Sequence, residues 1–165
     1  MRGGGGGTYG VVTSVTYKTY PTFPLTVVGL SANFTSPDIA QNVSTELISL
    51  HPVISDIGWG AYIELSNVSL SMLLVAPNAS LADTNATFNP FVHYVDEATG
   101  GLIQVTATPV SSFYELYLNG FANADGAGGV PADLASRLLP RSLAETDPAN
   151  AAKIILSLDG GVVMK

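Results

Sequence analysis

The sequence contains no cysteine. That absence excludes a disulfide framework and a thiolate metal site. Charge is also scarce. Asp, Glu, Lys and Arg make up 12% of the chain, about half the usual ~25% share. Hydrophobic residues make up 47%. So little charge for so much apolar matter implies a surface covered by sugar or by another domain. The 6 Lys and Arg are scattered singly, and the net charge is −7. A nucleic-acid or anionic-lipid partner would need a basic patch, and none exists. No apolar run approaches the ~20 residues that span a bilayer. No internal repeat is visible. Met1-Arg2-Gly3 carries no apolar segment of the kind a secretory leader needs.

Against these absences stands a cluster of Asn-x-Ser/Thr sequons at Asn33, Asn42, Asn67, Asn78 and Asn85, none with Pro in the middle. One sequon means little. A cluster this dense reads as an extracellular, glycosylated surface. A secreted body without a leader implies a fragment of a longer protein.

The most informative stretch is Arg2, the run Gly3 to Gly7, then Thr8-Tyr9-Gly10-Val11-Val12-Thr13-Ser14. An ordered glycine run costs stability. It is tolerated where bare peptide N–H groups lie against a ligand such as a phosphate or a flavin edge, or in a flexible linker. Gly5-x-Gly7-x-x-Gly10 satisfies the dinucleotide pattern, but that pattern needs a strand before it and a helix after it. Here β-branched residues follow. A phosphate loop would need Lys-Ser/Thr after its last glycine, and that is missing.

The stretch RGGGGGTYGVVTSVTYKTYP resembles the glycine-rich end of the flavin domain in fungal FAD-linked oxidoreductases. These are berberine-bridge-enzyme-like members of the vanillyl-alcohol-oxidase superfamily, with a PCMH-type FAD-binding domain. Ser136-Arg137-Leu138-Leu139-Pro140-Arg141 resembles a segment of the same family's substrate domain. The resemblance implies residues 1–20 as the end of the FAD-binding domain and 24–165 as a substrate-binding domain truncated at its C-terminus. It implies FAD as cofactor, with Gly5, Gly6, Gly7, Thr8, Gly10 and Val11 in the flavin-contacting stretch. It also implies attachment of FAD through a histidine, often with a cysteine, in an upstream domain outside this chain.

Pattern alone gives the element order. Gly10 to Lys18 reads as a strand, and Tyr20 to Pro24 breaks it. Leu25 to Ala32 is a buried strand. Ser36-Pro37 starts a helix with the stripe Ile39, Val43, Leu47 and Leu50, ending near His51-Pro52. Trp59, Ala61, Ile63 and Leu65 alternate with Gly60, Tyr62 and Glu64 on a second strand. Ser69 to Val75 is a third. A helix over 79–98 follows, with Pro90 expected to kink or divide it. Leu102 to Thr108 is a further strand. The order βαββαβ predicts an α+β, ferredoxin-like fold: an antiparallel sheet with both helices on one face. Beyond it lie a short capped helix from Phe113 to about Phe121, a Gly/Ala-rich loop over 120–129, a helix from Asp147-Pro148 to Leu158, and a strand at Val162–Met164.

If Trp59, Ala61, Ile63 and Leu65 pack on the helices, Tyr62 and Glu64 face the other way. In the resembled family that bare face roofs the flavin, so either residue could orient or deprotonate an alcohol. The alternative is interface packing for Tyr62 and a solvated edge for Glu64. A capped helix is expected to turn Tyr114 and Tyr117 into the core. His51 and His93 have no acidic partners at ligand spacing, so no metal site is expected. Three functions follow: part of an FAD-dependent oxidoreductase acting on an alcohol, sugar or secondary metabolite, a secreted glycoprotein module that binds a small ligand, or an interaction fragment. The glycine run favours the first.

Overall fold

A computed structural model describes residues 10–121 and 138–158, and the backbone of 162–164. Strand β1 (Leu25–Asn33) leads into helix α1 (Pro37–Asp56). Strands β2 (Gly60–Leu65) and β3 (Ser69–Pro77) form a hairpin. Helix α2 (Leu81–Thr99) and strand β4 (Ile103–Val110) complete the unit. Then come α3 (Phe113–Gly120), α4 (Arg141–Thr146), α5 (Pro148–Leu156) and β5 (Val162–Met164). The sheet order is β4-β1-β3-β2-β5, with every pairing antiparallel. The first four strands and two helices are the expected βαββαβ arrangement.

Period-two alternation builds this sheet. Val28, Leu30 and Ala32 of β1, Ile63 and Leu65 of β2, and Leu70, Met72 and Leu74 of β3 point to one side. They share one core with Val43 and Leu47 of α1 and Phe88, Phe91 and Val95 of α2. Both helices therefore cover the same face. A smaller core joins Ile48 to Ala144, Ala151 and Ala152, which holds α4 and α5 against the outer side of α1.

Local chemistry sets the helix starts. Ser36 accepts from the Ile39 N–H, with Pro37 in the first turn. Ser80 and Asp83 form a reciprocal capping box. Gly100, with φ of 65°, closes α2 in the left-handed region. Ser112 caps α3, while the Glu115 carboxylate accepts from the N–H and hydroxyl of Ser111 instead of closing the box on Ser112.

Several expectations need correction. Gly10 to Lys18 is not a strand; Val11, for example, is 92% exposed. β-propensity needs a partner ladder to act, and no described strand pairs with this segment. Helix α1 does not stop at His51-Pro52 but runs four residues beyond Pro52, because Ile54 is buried in the core and anchors the last turn. Helix α2 continues through Pro90 for the same reason, with Phe91 and Val95 buried beyond it. Tyr114 and Tyr117 are not core residues: they are 68% and 45% exposed, and Leu116 is the buried residue of α3. Helix α4 was not expected from the pattern. The Gly/Ala-rich stretch from 122 onward and Ser136-Arg137 lie outside the described residues.

Candidate functional site

The sheet face opposite the helices is left bare by α1 and α2, and its organisation follows from the strand register. Glu64 of β2 lies opposite Ser71 of β3, Ser71 opposite Ser31 of β1, and Ser31 opposite Gln104 of β4. These four side chains form one polar row across four strands. Two residues along each strand lies a second row: Tyr62, Leu73, Gly29 and Thr106. A third row consists of Gly60, Val75, Val27 and Thr108. The first two rows line a concavity of about 440 Å³.

Tyr62 and Glu64 are thus brought together on one wall, on the face that alternation assigned to them. Tyr62 is 54% exposed. The remaining members of the two rows were not singled out from the sequence. Gly29 and Ser31 alternate with buried Val28 and Leu30, which is a visible signal. Which residues of β3 and β4 stand beside them depends on register, which no local pattern contains.

Most of the flavin-contacting stretch expected from the resemblance falls outside the described residues. Gly5, Gly6, Gly7 and Thr8 lie outside the described residues. Gly10 and Val11 are exposed, do not line the concavity, and nothing lies within 4 Å of where a Cβ at Gly10 would be. Of the sequon asparagines, Asn33, Asn42, Asn67 and Asn78 are exposed and Asn85 is half-buried. None lines the concavity. Asn67 Nδ2 donates to the Leu156 carbonyl at 2.9 Å. No group of three His, Asp or Glu side chains that could hold a metal occurs among the described residues.

The α+β sheet with its helices on one side is a fold found in VAO-type flavoproteins. It superposes on MtVAO615 of Myceliophthora thermophila C1 with a TM-score of 0.64 and 19% identity, over 81% of this chain and 25% of that one. A second VAO-type flavoprotein of the same organism, MtVAO713, matches with a TM-score of 0.51 and 12% identity, over 59% of this chain and 20% of that one. In sequence the chain is similar to fungal FAD-linked oxidoreductases. It is 31% identical over 154 residues to FAD-linked oxidoreductase OXR2 of Pyricularia oryzae, covering 92% of this chain and 25% of that protein. It is 33% identical over 173 aligned positions to an uncharacterized FAD-linked oxidoreductase of Arthroderma benhamiae, covering 96% of this chain and 29% of that protein. The chain therefore spans a quarter to under a third of these relatives. No protein-family model matches it. FAD is the cofactor of the family the chain resembles.

Proposed function

We propose that this chain is the substrate-side part of an FAD-linked oxidoreductase that oxidises an alcohol, sugar or secondary metabolite, with the rest of the flavin site supplied by an FAD-binding domain outside it. The observation that carries the reading is the bare sheet face. It is a concave wall with a carboxylate and a phenol side by side on one strand, in a chain similar throughout to FAD-linked oxidoreductases. The two rows offer Tyr62 and Leu73 to an apolar ring, with the Thr106 hydroxyl 2.9 Å from where a Cβ at Gly29 would stand. They offer no positive charge for a pyrophosphate, so the wall fits the ring side of the site and not the dinucleotide tail.

When bound, the flavin supplies the hydride acceptor. The chain's residues supply position and a base. Glu64 takes the hydroxyl proton of the substrate while the carbon-bound hydrogen leaves with its electron pair. The alcohol becomes a carbonyl, two electrons poorer. Tyr62, one row away on the same strand, holds the substrate oxygen. General-base catalysis contributes about 10²–10⁴-fold. Glu64→Gln in the full-length flavoprotein should therefore lower kcat by about 10²-fold or more with the flavin spectrum unchanged. An unchanged kcat would remove Glu64 from the chemistry.

The sequons extend this reading to a secreted parent. Asn33, Asn42, Asn67, Asn78 and Asn85 all lie outside the concavity, so sugar on them would leave the wall free. Glycopeptide mass spectrometry after expression in a secretory host tests this; five unmodified asparagines would end the secreted reading.

A further inference from the structure

Strand β4 closes one side of the sheet, and the bonding of its outer edge follows residue by residue from the register. The Asn33 N–H donates to the Leu102 carbonyl at 3.0 Å. In an antiparallel ladder, pairs that exchange such bonds alternate with pairs that do not. The pairs Ser31↔Gln104, Gly29↔Thr106 and Val27↔Thr108 therefore turn the N–H and C=O of Gln104, Thr106 and Thr108 toward β1. Those of Ile103, Val105 and Ala107 point outward, as does the nitrogen of Pro109. Proline inside a sheet belongs where its missing N–H would face away from the ladder, which agrees with this assignment. Among the described residues nothing bonds the outward N–H or C=O of Ile103, Val105 or Ala107, and none of the three is buried.

An open edge is a template for another strand, and proteins commonly blunt it with charge, above all lysine. Here there is no Asp, Glu, Lys or Arg between Glu97 and Glu115. The open span is instead closed at its ends. Pro109 has no N–H to offer. Gly101 lies equally far from Val105 on the other side, and its N–H is taken by the Asp96 carbonyl at 3.0 Å. The unpaired donors along this edge are thus Ile103, Val105 and Ala107, a set symmetric about Val105.

That symmetry selects the partner. Two copies of β4 laid antiparallel about a two-fold axis at Val105 set Val105 opposite Val105 and Ile103 opposite Ala107. Every free donor then meets a free carbonyl, and no N–H is stranded at either end. Gln104 falls opposite Thr106, and no like charges face each other. We infer that the outer edge of β4 is a self-association surface, where a second copy of this chain adds its own β4 antiparallel, centred on Val105, and joins two five-stranded sheets into one. Exposed Leu102 and Phe113 flank the strand at its two ends, so the pairing carries Leu102 of one copy toward the end that bears Phe113 in the other. The span 103–107 is short beside the ~20–30 residues a side of a stable interface. Each copy also carries a net charge of −7. Association is therefore weak, and salt strengthens it by screening the repulsion.

The test is analytical ultracentrifugation of the 165-residue chain from about 1 μM to about 1 mM, with amide exchange read at single residues. The mass should rise from one chain to two across that range. Exchange at Ile103, Val105 and Ala107 should slow as the dimer fills, while Gln104, Thr106 and Thr108 stay protected throughout. Val105→Pro removes the central outward donor and leaves the bonds to β1 in place. Val105→Lys sets two ammonium groups opposite each other on the two-fold axis. Each variant should weaken the dimer by roughly tenfold or more, with protection at Gln104, Thr106 and Thr108 retained; the lysine variant serves if the proline variant does not fold. The inference is overturned by a chain that stays monomeric at about 1 mM, by a dimer that leaves exchange at Ile103, Val105 and Ala107 unchanged, or by a Val105→Lys variant that pairs like the parent. Protection of those three amides that does not depend on concentration, in this chain or in the full-length parent, would give the edge to a segment of the same polypeptide and overturn it as well.

Discussion

At the scale of single residues, Ser44 is an exception inside a well-satisfied core. It is fully buried in α1, and its hydroxyl finds no hydrogen-bond partner among the described residues. A buried polar group without a partner costs about 1–3 kcal/mol. Alanine also has the higher helix propensity, by a few tenths of a kcal/mol. Ser44→Ala should therefore raise stability by about 1 kcal/mol, read as a higher urea midpoint at unchanged slope. A lower midpoint would mean that the hydroxyl is bonded. The same substitution destroys the Asn42 sequon, so the comparison is made on protein without sugar, and Asn42→Gln removes the sequon alone. Ser80 is the opposite case, a surface residue with a clear structural role in its capping box. Ser80→Ala should destabilise by about 1 kcal/mol, measured in the same way.

At the scale of elements, α4 and α5 depend on a small contact. Beside the core around Ile48, Arg141 makes a two-pronged bond to Asp56 at the end of α1, with Nη1–Oδ1 at 2.5 Å and Nη2–Oδ2 at 2.8 Å. Its Nε reaches Glu145 at 2.7 Å. The hydrogen bond from Arg141 holds the Asp56 carboxyl below its ordinary value of 3.8, and Asp56 with Glu145 raises the guanidinium further above its own. The signs then follow. A depressed carboxylate adds stability above its unfolded value and loses it as pH falls toward its folded value. A raised cation loses its contribution only above any working pH. The docking of α4 and α5 should therefore loosen below about pH 4. All three groups are exposed, so salt should weaken the contact. Amide exchange over 141–156 measures this. Protection should drop as pH passes below 3.8, after correction for intrinsic exchange, and Arg141→Ala should abolish that step. A step that survives in the variant would assign it to another carboxylate.

At the scale of the whole molecule, the chain presents surfaces that look incomplete. Phe113, Tyr114, Tyr117, Leu118 and Phe121 are exposed along and just past α3, and Val11, Val12, Tyr17 and Tyr20 are exposed before β1. In the function proposed above, the bare sheet face supplies one wall of the site. A cofactor the size of FAD needs a pocket that buries most of its surface. A few backbone contacts contribute about 0.5–1.5 kcal/mol each, against an association cost on the order of 4–15 kcal/mol. The 165-residue chain expressed alone should therefore purify colourless and oxidise no alcohol or sugar. An absorption spectrum and a flavin titration check this, and a yellow protein that keeps its flavin through dialysis would overturn it.

Much of this architecture was determined locally. Alternation in β1, β2 and β3, the caps at Ser36, Ser80 and Ser112, and the glycine stop at Gly100 are short-range signals, and they carry the βαββαβ order. Alternation also placed Tyr62 and Glu64 on the bare face, because side-chain direction along a strand depends only on parity. Where a local preference competed with packing, packing prevailed. Buried Ile54 and Phe91 draw helix past Pro52 and Pro90, and Val11 to Lys18 stays out of a strand without a ladder to join. Tyr114 and Tyr117 are exposed because a cap fixes where a helix begins and not which side meets the core. Only the tertiary structure decided that Glu64 shares a row with Ser71, Ser31 and Gln104, and that Tyr62 shares the next with Leu73, Gly29 and Thr106. Those neighbours lie as far apart in sequence as Ser31 and Gln104, and their register is set by antiparallel pairing of whole strands over a common core.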